Sequence, residues 1–129
     1  MTDFPEYSRQ FRFRRLLNWL PLGLTYAFFY MGRYNLTVAK SVIPSMTKAD
    51  FGIIFGIGAW VYAISFLLNG PLTDRIGGKK GMLIGAFGSC LANVAMGVIV
   101  NLNLAHHLML WWFTVLYALN MYFQSYGAV

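Results

Sequence analysis

Charge is scarce in this chain, and negative charge is scarcest. Charged residues make up 11% of its 129 residues, with 4 Asp and Glu against 10 Lys and Arg. An ordinary soluble domain carries about a quarter charged residues, so a water-facing surface of the usual kind is excluded. Cysteine is limited to Cys90, inside an apolar stretch, which leaves nothing for an internal disulfide or a cysteine-based metal cluster. The adjacent His106 and His107 point apart and have no further ligand candidates beside them, so no metal site is expected. Residues 51–69 and 81–100 hold no charge at all. Each run is long enough to cross ~30 Å of hydrocarbon as a helix, and the expected chain is an integral membrane protein.

The charge that is present is concentrated. Residues 70–80, Gly-Pro-Leu-Thr-Asp-Arg-Ile-Gly-Gly-Lys-Lys, join the two uncharged runs and carry Arg75, Lys79 and Lys80 against Asp74. Short loops rich in Lys and Arg stay in the cytoplasm, which makes this segment a cytoplasmic hairpin turn. Arg9, Arg12, Arg14 and Arg15 lie before the first apolar run and so also on the inner side. A net charge of +6 would otherwise point to nucleic acid. Here the basic residues flank spans and determine topology, and no nucleic-acid partner is expected. The N-terminal pattern of arginines and an apolar run imitates a signal peptide, but the run is too long and Arg33 interrupts its far end. A retained anchor is the better reading. The expected organisation is a cytoplasmic basic segment over residues 1–15 and a bundle with spans near 16–43, 51–69, 81–100 and 108–129. Both termini then face the cytosol.

The spacing Gly-x-Leu-x-Asp-Arg-x-Gly-x-Lys-Lys, at Gly70, Leu72, Asp74, Arg75, Gly77, Lys79 and Lys80, resembles the signature between the second and third helices of the major facilitator superfamily of transporters. The resemblance implies an all-α polytopic fold, of which these four helices would be the N-terminal portion. It also implies that Asp74 latches onto a partner in a second half absent from these residues. Physically, Gly70 permits close helix approach, and Asp74 suits the N-terminal amides of another helix.

The first span carries a polar stripe. Tyr26, Tyr30, Arg33, Thr37 and Lys40 stand at i, i+4, i+7, i+11 and i+14, so all project from one helical face. For a helix over 16–43, Arg33 lies about 5 Å from the bilayer midplane at a rise of ~1.5 Å per residue. An arginine at that depth costs at least ~2.5–3.5 kcal/mol, which a bound ligand or a structural partner must offset. The bland alternative is a structural arginine bonded to helix carbonyls.

A narrower resemblance follows from residues 26–35, Tyr-Ala-Phe-Phe-Tyr-Met-Gly-Arg-Tyr-Asn. They are similar to the first helix of the organophosphate:phosphate antiporters, the family of glycerol-3-phosphate and hexose-phosphate carriers. The resemblance implies that Arg33 binds substrate, with Tyr30 and Tyr26 beside it, Tyr62 on the second span and, more loosely, Gln124 on the fourth. A guanidinium fork matches two phosphate oxygens, and tyrosine hydroxyls donate to others without adding charge. Some relatives place a second cation near position 66, where this chain has Phe66.

Elsewhere the reading is structural. Asp50 is expected to cap the second helix, Gly52 and Gly56 to seat a neighbouring helix, and Gly81, Gly85, Gly88, Ala92 and Ala95 to pack the third against another. The loop 101–107 has no Lys or Arg and is placed outside. Trp111 and Trp112 anchor the outer end of the fourth span. The chain stops at Val129 without a polar flank, as a truncated reading frame would. The resemblance therefore implies part of a bacterial inner-membrane carrier that exchanges organic phosphates for phosphate by alternating access, without cofactor or metal. No nucleophile, base and cofactor converge, so an enzyme is not expected. A sensor of the same fold and an inactive fragment remain open alternatives.

Overall fold

The computed structural model describes residues 8–102 and 104–128. The parts of the 1–15 segment, the 101–107 loop and the 108–129 span that fall on residues 1–7, 103 and 129 lie outside the described residues. The described chain forms four α-helices: α1 (Arg9–Val42), α2 (Lys48–Ile76), α3 (Gly78–Asn101) and α4 (His106–Ser125).

Helix boundaries follow local chemistry. Ser8 caps α1 by accepting a hydrogen bond from the Phe11 amide at 3.3 Å. Nothing between Arg9 and Arg15 opposes a helix, so the arginine-rich stretch expected to precede the first span is helical from Arg9. Pro21 lies inside α1. The helix ends at Val42, one residue before Ile43-Pro44, where proline disfavours helical backbone in the residue ahead of it.

The cap of α2 corrects one expectation. Thr47 is the N-cap, and its hydroxyl accepts from the Asp50 amide at 3.2 Å. The Asp50 carboxylate accepts in return from the Thr47 amide at 2.7 Å. Asp50 is thus the third helical residue of a capping box rather than the cap itself.

The 70–80 segment is also tighter than expected. Helix α2 continues through Pro71 to Ile76 and α3 starts at Gly78, leaving Gly77 as the one residue between them. Gly77 has a φ of 88°, in the region that only glycine enters without strain. Its amide closes α2 on the Thr73 carbonyl at 2.8 Å, and its own carbonyl accepts from Gly81 at 3.1 Å. The charged signature is therefore two helix ends meeting at a single hinge residue.

Helix α4 packs along both α2 and α3, whereas α1 meets α3 over a shorter length. The third helix approaches α4 through its glycines. A Cβ on Gly85 would stand 2.7 Å from the Phe123 carbonyl oxygen, and one on Gly88 would overlap the Phe123 ring. On α2 the close approach is at Gly58, where a Cβ would meet Tyr117 at 2.5 Å. Gly52 and Gly56 face open space; they lie on a different side of the helix from the buried Gly58, Ser65 and Asn69. Asn69 ties the other end of α2 to α4 by donating to Ser125 Oγ at 2.7 Å.

The apolar core gathers beneath the α1–α2 connection. Leu36, Ile43, Phe51, Ile54 and Phe113 interlock there with Met46, Met96, Met109 and Met121, the flexible thioethers filling irregular gaps. Outward, the helices present Trp60 and Leu67, each 73% exposed, and Phe87, 69% exposed. Single exposed apolar residues are ordinary, but a continuous apolar exterior calls for a non-aqueous surrounding. Among the described residues, α2 and α3 are long and apolar enough to cross a membrane.

Candidate functional site

Arg33 projects from α1 toward the side chains of α2 and α4. Its Nε donates to Gln124 Oε1 at 2.6 Å. The guanidinium carbon lies 4.4 Å from the Tyr62 ring centroid and 5.1 Å from that of Tyr30. Both are within range of an attractive cation–π contact, worth ~0.5–2 kcal/mol according to desolvation. Tyr26 extends the group, its hydroxyl 3.4 Å from that of Tyr30. The structure thus brings Arg33, Tyr30, Tyr26, Tyr62 and Gln124 into one cluster.

The charge of this cluster is uncompensated. The carboxylates among the described residues are Asp50 and Asp74, and neither forms an ion pair with Arg33. Gln124 is a neutral amide. It occupies one of the five guanidinium donors, and no other hydrogen-bond acceptor among the described residues takes the donors on the two Nη nitrogens. A half-buried cation with free, coplanar donors and flanking tyrosines attracts an anion that offers several oxygens.

Behind Arg33 lies a polar network of which the sequence reading assigned only Gln124 to the site. The Gln124 amide nitrogen donates to Asn120 Oδ1 at 3.0 Å and to Ser89 Oγ at 3.3 Å. The Ser89 hydroxyl donates to the same Asn120 oxygen at 2.6 Å, and Asn93 Nδ2 does so at 3.1 Å. From α1, Asn35 Nδ2 donates to Asn93 Oδ1 at 3.0 Å. Gly32 makes room for this: a Cβ there would press on Asn93 Nδ2 and Gln124 Nε2 at 3.2 and 3.3 Å. Asn120 and Gln124 are 0% and 1% exposed. Asn120 Nδ2 is buried without a partner among the described residues, a loss of ~1–3 kcal/mol for a desolvated donor. The available signal was polar residues inside otherwise apolar helices. The glycine stripe drew α3 into a packing role and hid Ser89 and Asn93.

The signature residues form a separate place in the fold. Asp74 lies twelve positions beyond Tyr62 on α2, about 18 Å along a straight helix. Asp74, Arg75, Lys79 and Lys80 are exposed and Gly70 is half-buried. Among the described residues no ion pair engages those four charges. At the opposite end of α2, His106 Nε2 lies 2.9 Å from Asp50 Oδ2, joining the first turns of α4 and α2. The sequence reading expected no metal site at His106 and gave it no partner. Its partner was not legible, because 56 residues separate the two.

A profile of the Major Facilitator Superfamily matches residues 22–129. Over 99% of its length the chain is 28% identical to a protein of Salmonella typhimurium named membrane sensor protein UhpC, of which it covers 28%. Over 78% of its length it is 30% identical to a D-galactonate transporter of Escherichia coli O6:H1, covering 24% of that protein. It is 25% identical over 98% of its length to a probable hexose phosphate transport protein of Chlamydia trachomatis, covering 27%. The chain thus spans between 24% and 28% of the length of these curated relatives. No solved structure matches it significantly.

Proposed function

Because this chain belongs to the Major Facilitator Superfamily, we propose that its residues form the N-terminal portion of a bacterial inner-membrane carrier that exchanges organic phosphate esters for inorganic phosphate. Four helices cross the bilayer. The N-terminus and the Gly77 hinge face the cytosol, and the α1–α2 and α3–α4 connections face outward. Arg33 binds the phosphate, Tyr30, Tyr26 and Tyr62 complete its first contacts, and Gln124 holds the guanidinium. A second half, beyond these residues, supplies the remaining contacts and the partner of Asp74. The two halves rock about the bound anion in alternating access.

The observation that carries this reading is the uncompensated guanidinium between two tyrosine rings. A structural arginine inside a membrane is expected to meet a carboxylate or helix carbonyls. Among the described residues Arg33 meets one neutral amide, and its Nη donors have no acceptor. The family explains the setting, and a relative named as a hexose phosphate transport protein points to the same class of anion.

Two substitutions test it. Arg33→Lys keeps the charge and loses the fork, so competition by inorganic phosphate weakens; Arg33→Ala abolishes it while the protein still inserts. Normal phosphate competition in a folded Arg33→Ala protein refutes the assignment. A second reading, a sensor of a phosphate ester, draws on the relative named membrane sensor protein. Flux of labelled phosphate separates the two, since a sensor binds with negligible exchange.

A further inference from the structure

We propose that Asn120 is the positioning residue of the anion site, the acceptor on which the orientation of Arg33 depends. This rests on the reading of Arg33 as the phosphate-binding residue. Two lines of donation end on Asn120 Oδ1. One runs from Arg33 Nε to Gln124 Oε1 and from Gln124 Nε2 to Asn120. The other runs from Asn35 to Asn93 and from Asn93 to Asn120. The Ser89 hydroxyl adds a third donor to the same oxygen.

This convergence fixes the direction of Gln124. A glutamine amide presents oxygen at one side and NH2 at the other, and the two are set by what surrounds them. Asn120 Oδ1 and Ser89 Oγ both accept from Gln124 Nε2, so its oxygen is left facing Arg33. Turned over, Gln124 would present NH2 to a guanidinium, donor against donor. The Asn120 amide is fixed by the same logic, for if reversed it would aim its own NH2 at the NH2 groups of Gln124 and Asn93. Its Nδ2 is buried and, among the described residues, without a partner. What the site uses at position 120 is therefore one oxygen, held by α4 within reach of donors on α3 and on α4 itself.

The chemistry that follows is division of labour on the guanidinium. With Gln124 locked, the Nε edge of Arg33 is taken and the Nη donors face away toward the ligand. Without the Asn120 oxygen, Gln124 can rotate, Nε loses its fixed acceptor, and the fork loses its direction. The effect reaches phosphate only through Gln124 and Arg33, since the side chain of Asn120 is fully buried.

The test compares Asn120→Leu, which removes the oxygen at similar size, with Asn120→Asp, which keeps acceptor oxygens and dispenses with the spare NH2. The readout is the Arg33 Nε–H resonance of the 129-residue chain in lipid nanodiscs, assigned by its loss in Arg33→Lys, and its exchange with solvent. Asn120→Leu is expected to speed that exchange at least about tenfold, the factor that corresponds to ~1.4 kcal/mol of lost protection, while Asn120→Asp keeps it near the wild-type rate. Inorganic phosphate binding, read in the same membranes, is expected to weaken about tenfold in Asn120→Leu, the lower range for one hydrogen bond to a charged group. Unchanged exchange in Asn120→Leu, or equal acceleration in both variants, overturns the positioning role. So does wild-type phosphate affinity in a folded Asn120→Leu protein. Undiminished phosphate binding in Arg33→Ala is a different failure, and it falls on the function proposed for the site.

Discussion

An arginine bonded to glutamine keeps its full charge for a ligand, whereas the same arginine bonded to a carboxylate is already neutralised. Gln124→Glu would place an anion about where Oε1 now lies, 2.6 Å from Arg33 Nε. Phosphate affinity is expected to fall at least about tenfold, because the ligand must then displace an internal ion pair; competition binding in membranes measures it. Tyr30→Phe removes a hydroxyl beside the guanidinium and should cost ~1.5–3 kcal/mol of binding if that hydroxyl contacts phosphate. Tyr34→Phe, on a side chain 64% exposed and away from the cluster, should cost far less, and equal losses would show that the wrong face has been assigned. At this scale the sequence was readable where polar residues repeat along one helix, as Tyr26, Tyr30 and Arg33 do. It was unreadable where side chains from α1, α3 and α4 meet, because no spacing within one helix encodes Asn35 opposite Asn93 or Gln124 opposite Ser89.

At the scale of single helices, close approach is the dominant device. Gly85→Ala would drive a methyl group against the Phe123 carbonyl, and overpacking of that kind costs ~1–3 kcal/mol. Gly97, on the same helix with nothing within 4 Å, is the control: Gly97→Ala should be neutral or gain ~0.5–1 kcal/mol from helix propensity. Denaturation in micelles compares the two. Thr47→Ala removes the capping hydroxyl of α2 and should cost ~0.5–2 kcal/mol in the same experiment. The glycine stripe of α3 was legible because small residues recur at helical spacing. The tightness of the 70–80 segment was not. Its Pro, Gly and charges all read as loop, yet proline and charge are tolerated at helix ends, and only Gly77 has left the helical path.

At the scale of the molecule, the apolar exterior and the asymmetric basic residues are expected to set the orientation. With Cys90, which is exposed, first replaced by serine, a cysteine at Ser45 is expected to react with an impermeant reagent applied to intact cells, and one at Lys79 is not. The reverse pattern would invert the topology. Vesicles holding these 129 residues alone are expected to show no saturable phosphate exchange, since the proposed site takes its remaining contacts from a second half beyond these residues. Membership of the superfamily was legible from the Gly70 to Lys80 spacing, whereas the light packing of α1 against the other helices was not.

That light packing has a consequence for how the protein is made. Arg33 precedes the glutamine that holds it by 91 residues, so at ~5–20 residues per second the ribosome needs roughly 5 to 18 s to supply the partner. Through that interval the proposed span α1 would hold an arginine among lipids at a cost of ~2.5–3.5 kcal/mol, eased by Tyr30 on its own helix and, once α2 has emerged, by Tyr62. The newborn helix is therefore least secure before α4 emerges. A translational pause between α1 and α4 should expose it to quality-control proteolysis, while a pause of equal length after α4 should leave it protected.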